Sequence, residues 1–416
     1  GYGTVYANAG KRSQDEHLPN TYTGAAPINQ NTGQVISLFD ATRDTTRDTT
    51  QFEARFASDF EGPVNFVAGA FQQTNDAAFC VVQVLGFIDL AFDLGSLGLP
   101  QQLNNNSPQV LCNKQDSDSL AGYVDVTWDV TDQFTLAGGY RMTRDERSWA
   151  GRTQVAFDLL DDNQFNGSLS WEDFNDPLQA GNFKKYPGGI IVNQNTPGFG
   201  NLSETWTEPS WRVVGSYKFT DKLFGYATIS NGYKAGGYND QTGTSGLMVS
   251  ELTRPVDPEF ATNYEIGIKW ESEDGRYRFN PTAFYTTYED AQRAVNIITV
   301  NSAGATFQET VFYNAAEVTA KGIELEFQAA LTDSFRIRAQ ASYLKAEYDK
   351  FVINQPEVTD PVTGATIQEF NGDFSGLPVP RSPEIMGSIQ ATYTWELANG
   401  ARLELGGEYY HEDENL

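Results

Sequence analysis

Period-two alternation, in pair after pair of segments joined by short polar turns, constrains this chain more than any other feature. Ile266, Ile268 and Trp270 alternate with Glu265, Gly267 and Lys269, and the turn Glu-Ser-Glu-Asp-Gly follows. Beyond it, Tyr277, Phe279 and Ala283 alternate with Arg276, Arg278, Asn280 and Thr282. The pattern returns at Ile323, Leu325 and Phe327 against Glu324, Glu326 and Gln328, then across Leu-Thr-Asp-Ser at Phe335, Ile337, Ala339, Ala341 and Tyr343 against Arg336, Arg338, Gln340 and Ser342. Successive side chains of a strand point to opposite faces, so each segment is a strand with one apolar and one charged or polar side. Val124–Trp128, Phe134–Met142, Trp211–Phe219 and Ile385–Trp395 read the same way. About a dozen strands meeting in antiparallel hairpins are expected.

The connections sort by length. Short ones lie near Gly62, Asp132, Asp221, Asp274, Asp333 and Asn399, and long polar stretches lie between them: 74–119, 148–205, 239–259 and 349–382. An aromatic stands on the apolar column beside almost every short turn: Trp128, Phe134, Phe219, Phe224, Trp270, Tyr277, Phe335 and Trp395. Short turns at one end, long loops at the other and a belt of amphipathic rings are the arrangement of a transmembrane barrel. The expected fold is therefore an all-β, antiparallel up-and-down transmembrane β-barrel. Its charged column, Glu265, Lys269, Arg276, Arg278, Glu324, Glu326, Arg336 and Arg338, is expected to face the lumen. In hydrocarbon each such charge would cost about 2–4 kcal/mol at mid-depth. A soluble barrel or sandwich with a solvated polar face shares the alternation and stays open as an alternative.

Composition excludes other classes. Lys and Arg number 28 against 55 Asp and Glu, a formal charge of −27, which is opposite to what a phosphate-binding surface needs. No nucleic-acid partner is expected. His17 and His411 are too far apart to suggest a catalytic or metal centre, and no nucleophile–base or phosphate-loop pattern stands out. The chain reads as no enzyme, with no cofactor and no metal. Asp161–Asp173 imitates a calcium loop only faintly, with Gln164 and Asp173 as weak ligands, and a solvated acidic loop is the default. No apolar run of about eighteen residues exists, so no transmembrane helix is expected; the nearest, Cys80–Leu94, is broken by Gln83, Asp89 and Asp93. The opening Gly-Tyr-Gly-Thr-Val-Tyr has no basic start and no apolar stretch behind it, so any leader has been removed or the chain begins within something larger.

Trp206–Asn239, WTEPSWRVVGSYKFTDKLFGYATISNGYKAGGYN, resembles the barrel wall of a TonB-dependent outer-membrane receptor. So do Pro258–Gln292, with its Pro-Glu, Tyr-Glu-x-Gly-x-Lys and Phe-Tyr-x-x-Tyr-x-Asp-x-Gln series, and Asn314–Phe351, with Asn-Ala, Gly-x-Glu-x-Glu and Tyr-x-x-Ala-x-Tyr. The ordered set is specific where no single element is. The resemblance covers most of the second half well and the first half more loosely. It implies location in the bacterial outer membrane, with bilayer and lipopolysaccharide around the wall. It also implies energised import of a scarce nutrient, most often a ferric siderophore. A passive porin, or a soluble secreted enzyme or adhesin, are the rivals. The family's TonB box and plug precede its barrel and are not recognised here, so residues 1–416 read as one partial barrel domain, short of the family's roughly 22 strands. TonB would act through that missing N-terminal region.

Phe224 and Tyr226 are expected outward, with Gly225 and Ala227 leaving room on the inner side, and Asn231–Gly232 and Gly236–Gly237 as bulges or bends. Cys80 and Cys112, in one long extracellular loop, are expected to form a disulfide. Large ligands need amphipathic contact area, which nominates the loop aromatics Trp149, Trp171, Phe174, Tyr238 and Tyr313.

Overall fold

A computed structural model describes residues 1–21, 40–84, 109–155, 190–192, 203–238, 255–300, 306–354, 358–359, 366–368 and 371–414. Its strands are β1 (Gly3–Thr21), β2 (Asp40–Ser58), β3 (Val64–Val84), β4 (Gln109–Asp129), β5 (Phe134–Val155), β6 (Ile190–Val192), β7 (Ser203–Thr220), β8 (Leu223–Lys234), β9 (Glu259–Glu271), β10 (Tyr277–Val300), β11 (Thr306–Ala330), β12 (Phe335–Asn354), β13 (Val358–Thr359), β14 (Thr366–Gln368), β15 (Asn371–Asp373), β16 (Ile385–Glu396) and β17 (Arg402–Glu412). A 15-stranded sheet takes them in sequence order from β1 to β17; β6 hangs on β5, β15 hangs on β12, and β13 pairs with β14 separately. The pairings are antiparallel and there is no helix among the described residues. This is the up-and-down wall that the alternation predicts.

Register turns the alternation into two faces. Across β7, β8, β9, β10, β11, β12 and β16, one row of directly opposed residues reads Gly215, Ala227, Ile266, Ala283, Ile323, Tyr343 and Ile385. The row one residue away reads Ser216, Tyr226, Gly267, Thr282, Glu324, Ser342 and Met386. Residues opposite one another share a face, so the first row belongs to an apolar surface and the second to a polar one. The apolar side chains stand open: Ile266 is 61% exposed and Leu405 64%. An apolar band this wide on a protein surface marks a contact with lipid or another apolar partner.

The aromatic belt forms beside the short turns. Tyr217 meets Phe219 edge-on at 4.8 Å, and Tyr393 lies 4.4 Å from Trp395. Trp128, Trp270 and Trp395 are exposed on the same face.

Three expectations need correction. Phe224 and Tyr226 lie on the polar face, opposite Lys269 and Gly267, while Gly225 and Ala227 oppose Ile268 and Ile266 on the apolar one. A register shift between Lys218 and Thr220 resets the count at the turn, and neither column of Phe-Gly-Tyr-Ala-Thr carries a charge to betray the flip. Gly225 instead gives room to Phe219, whose ring sits 3.0 Å from where a Cβ would be. No bulge occurs at Asn231–Gly232, where the β8–β9 ladder is continuous to Lys234; besides the shift at Lys218, the long strands are irregular in β10 between Tyr288 and Gln292 and in β11 at Glu317–Val318. Finally, much of what reads as long loop is strand. β3 and β4 continue to Val84 and from Gln109, and β5 carries Trp149. A membrane crossing takes about 9–11 residues per strand, so β10 and β11, of 24 and 25 residues, extend well beyond the apolar band.

Candidate functional site at the long-loop end

On the polar face, paired groups fasten neighbouring strands. The expected residues Glu265, Lys269, Arg278, Glu324, Glu326, Arg336 and Arg338 all fall on this face by register. The Tyr226 hydroxyl donates to Glu265 at 2.7 Å, its ring lying across Gly267, where a Cβ would meet it at 2.5 Å. Arg278 donates to Glu271 at 2.8 Å, and Lys222 reaches the same carboxylate at 2.7 Å. Asn280 donates to Glu326 at 3.3 Å. Arg276 sits in the turn and bridges to Asp333 at 2.7 Å. Nearer the middle of the wall, Arg212 of β7 reaches Asp125 of β4 at 2.9 Å over the intervening β5.

At the opposite end, beyond the apolar band, the chain builds a compact aromatic and polar cluster. Trp149 of β5 is 3% exposed and stacks on Tyr238, 8% exposed, with ring centroids 6.4 Å apart and planes 27° from parallel. Tyr238 belongs to a strap that follows β8. Gly237 and Val256 exchange backbone hydrogen bonds of 2.9 and 2.7 Å, which closes the strap's two limbs on each other. Gly236 lies against the buried Trp206 indole, where a Cβ would come within 2.6 Å. Gly237 similarly lies close over Arg147 and Gln115. Beneath the strap, three buried polar atoms have no hydrogen-bond partner among the described residues: Trp149 Nε1, Arg147 Nε and Gln115 Oε1. Two are donors and one is an acceptor. Burial, with the Glu204 carboxylate second, pushes the Tyr238 phenol up to about 12.

The strap is tied to the wall by carboxamides. Gln292 Nε2 donates to Ala235 O at 3.1 Å and to Asp257 O at 2.9 Å. Asn314 Nδ2 donates to Asp257 O and to Asp290 O, both at 2.8 Å, and Asn314 Oδ1 accepts from the Asp257 amide at 2.8 Å. Trp206 Nε1 donates to Asp257 Oδ1 at 3.4 Å. The β10 irregularity makes this reach possible. Asp290 takes a positive φ of 52°, a region in which Asp is tolerated better than most residues, and the Gln292 amide then donates to Glu259 Oε2 at 2.7 Å.

Of the five nominated aromatics, Trp149 and Tyr238 are brought together. Tyr313 packs elsewhere, against Val295 with Phe351 and Ile353. Trp171 and Phe174, like the acidic stretch Asp161–Asp173, lie outside the described residues. Cys80, 2% exposed and without a free thiol, lies directly opposite Cys112 in the β3–β4 ladder, not in a loop. Sequence reasoning missed Gln115, Arg147, Trp206, Asp257, Gln292 and Asn314. Gln292 and Asn314 did end and begin two of the resemblance stretches, but only tertiary contact shows what they hold.

The family model for a TonB dependent receptor-like β-barrel matches residues 2–416. The chain belongs to that family. Its members are outer-membrane β-barrels, receptors and transporters rather than enzymes. Relatives include the pesticin receptor of Yersinia enterocolitica, 24% identical over 267 residues, which are 63% of this chain and 32% of that protein. The metal-pseudopaline receptor CntO of Pseudomonas aeruginosa is 25% identical over 210 residues, 50% of this chain and 26% of that one. Among solved structures, the ferric yersiniabactin uptake receptor FyuA of Yersinia pestis superposes with a TM-score of 0.61 at 16% identity, covering 98% of this chain and 50% of that chain. The siderophore receptor PiuA of Acinetobacter baumannii gives 0.58 at 16% identity, covering 98% and 52%. The chain thus spans about a third of the first curated relative and half of these structures. Membership of the family removes the soluble secreted enzyme or adhesin.

Proposed function

We propose that this barrel segment serves an active importer of a chelated metal, a ferric siderophore, whose uptake is energised through TonB. The apolar face meets the bilayer and lipopolysaccharide, and the polar face lines the interior. The observation that carries the ligand reading is the Trp149–Tyr238 stack, buried at the long-loop end over unpartnered donors and an acceptor. Stacked rings supply broad amphipathic contact at low entropic cost, and unused polar atoms fix orientation. The names of the relatives, which include siderophore and metal-chelate receptors, favour the same class of cargo. A bond between Cys80 and Cys112 would brace the base of the connection that leaves β3.

The test is uptake of radiolabelled iron by iron-starved cells carrying the full-length protein. Iron is supplied as catecholate, hydroxamate or citrate chelates. At least one chelate is expected to enter, only with an intact proton-motive force, and Trp149→Ala is expected to raise its half-saturating concentration at least tenfold. Uptake of all three by diffusion alone, together with steady ion conductance in planar bilayers, would establish a passive porin instead.

A further inference from the structure

The strap that carries Tyr238 is fastened from elsewhere in the chain. Its two described limbs bond to each other through Gly237 and Val256, and among the described residues they are fastened to the wall by Trp206 of β7 and by side chains on β10 and β11, far away in sequence. Gln292 holds both limbs at once, through Ala235 O on one and Asp257 O on the other. Asn314 grips Asp257 from both sides of its peptide, as donor to the carbonyl and acceptor from the amide. We propose that Gln292 and Asn314 are positioning residues for the mouth of the barrel: they pin the strap so that Tyr238 stays stacked on Trp149 and covers the unpartnered atoms of Gln115, Arg147 and Trp149. The significance for ligand capture rests on the proposed ligand site; the pinning itself does not.

The geometry is specific enough to separate this role from general bracing. Gln292 Nε2 serves two carbonyls, so the near-isosteric Gln292→Glu removes both donations and sets a carboxylate against them, while its backbone bond to Glu259 is unaffected. Asn314→Leu keeps the branching and the number of side-chain heavy atoms and deletes all three contacts. Local opening is governed by the bonds broken in that opening. Loss of two should therefore speed amide exchange in the strap by roughly tenfold or more.

The experiment uses the full-length protein in detergent, labelled with 5-fluorotryptophan. The chain's 7 tryptophan signals are assigned by single Trp→Phe changes. In Gln292→Glu and in Asn314→Leu, the Trp149 fluorine resonance is expected to shift or split, and the Gly237 and Val256 amides to exchange about tenfold faster. The Trp128, Trp270 and Trp395 signals, at the short-turn end, are expected to stay in place. Gln292→Asn, too short to span both carbonyls, should show an intermediate shift. An unmoved Trp149 signal with unchanged exchange overturns the proposal, and so does a concerted shift of every tryptophan, which would mean only bracing. No ligand is present in this measurement, so its failure is distinct from failure of the ligand reading, which the uptake of Trp149→Ala decides.

Discussion

Gly139 shows how much a single residue settles on the polar face. It lies on β5 between Asp125 and Arg212, its Cα opposite both, and a Cβ there would come within 2.4 Å of Asp125 Oδ2. The ion pair of β4 and β7 exists because nothing stands in the strand between. Its partners are partly exposed, so the pair itself contributes little; the larger effect of adding a methyl is steric displacement. Gly139→Ala is expected to push the Asp125 carboxylate aside and destabilise the folded wall by about 1 kcal/mol. Gly138→Ala, on the apolar face with only Arg212 O at 3.7 Å, should be close to neutral. Urea midpoints in detergent check the pair: equal midpoints for the two variants would show that the Asp125 contact is not tight. Tyr226 over Gly267 follows the same logic, a large ring lying flat where the next strand offers no side chain.

At the scale of the element, the β3–β4 hairpin goes beyond what its polar composition suggests. Asp76, Asp116 and Asp118 read as loop, yet the ladder runs without a register shift from Val64–Trp128 to Gln83–Gln109. Such a protruding ribbon is held chiefly by backbone bonds and by its neighbours. Cys80 lies opposite Cys112 near its far end. A bridge there would close a loop whose entropy in the unfolded chain is worth roughly 3–4 kcal/mol. Thiol alkylation before and after reduction is expected to differ by two labels per chain. Cys80→Ser, Cys112→Ser and the double variant should then lower stability equally, because each removes the same bond. Labelling of either cysteine without reductant would rule the bridge out. Long strands were hard to see in the sequence because alternation is legible only where one face must be apolar. Above the bilayer both faces are wet, and the hydrophobic signal that marks register disappears.

The whole molecule depends on which face meets lipid. Leu325 and Glu326 are neighbours on β11 and point to opposite sides, opposite Ala341 and Gln340 on β12. Leu325→Arg would place a charge on the apolar band at a cost of about 2–4 kcal/mol at mid-depth. Glu326→Arg would replace one charge by another on the polar face. Refolding into phosphatidylcholine vesicles, followed by heat-modifiable gel mobility, is expected to fail or slow markedly for the first and to proceed for the second. Equal yields would mean that the band does not face hydrocarbon.

The sequence by itself determined the strand periodicity, the sidedness of the wall, the belt of rings beside the short turns and the family, because all of these follow from local alternation repeated in register with a bilayer. It also nominated Trp149 and Tyr238, but only among five loop aromatics with Trp171, Phe174 and Tyr313. Only the tertiary structure decided that Phe224 and Tyr226 take the polar face, since a register shift at one residue reverses every side chain after it and leaves composition unchanged. It alone joined Trp149 to Tyr238, and Gln292 and Asn314 to Asp257, because these contacts link residues that are far apart along the chain, and a carboxamide's partners are set by geometry that no period in the sequence encodes.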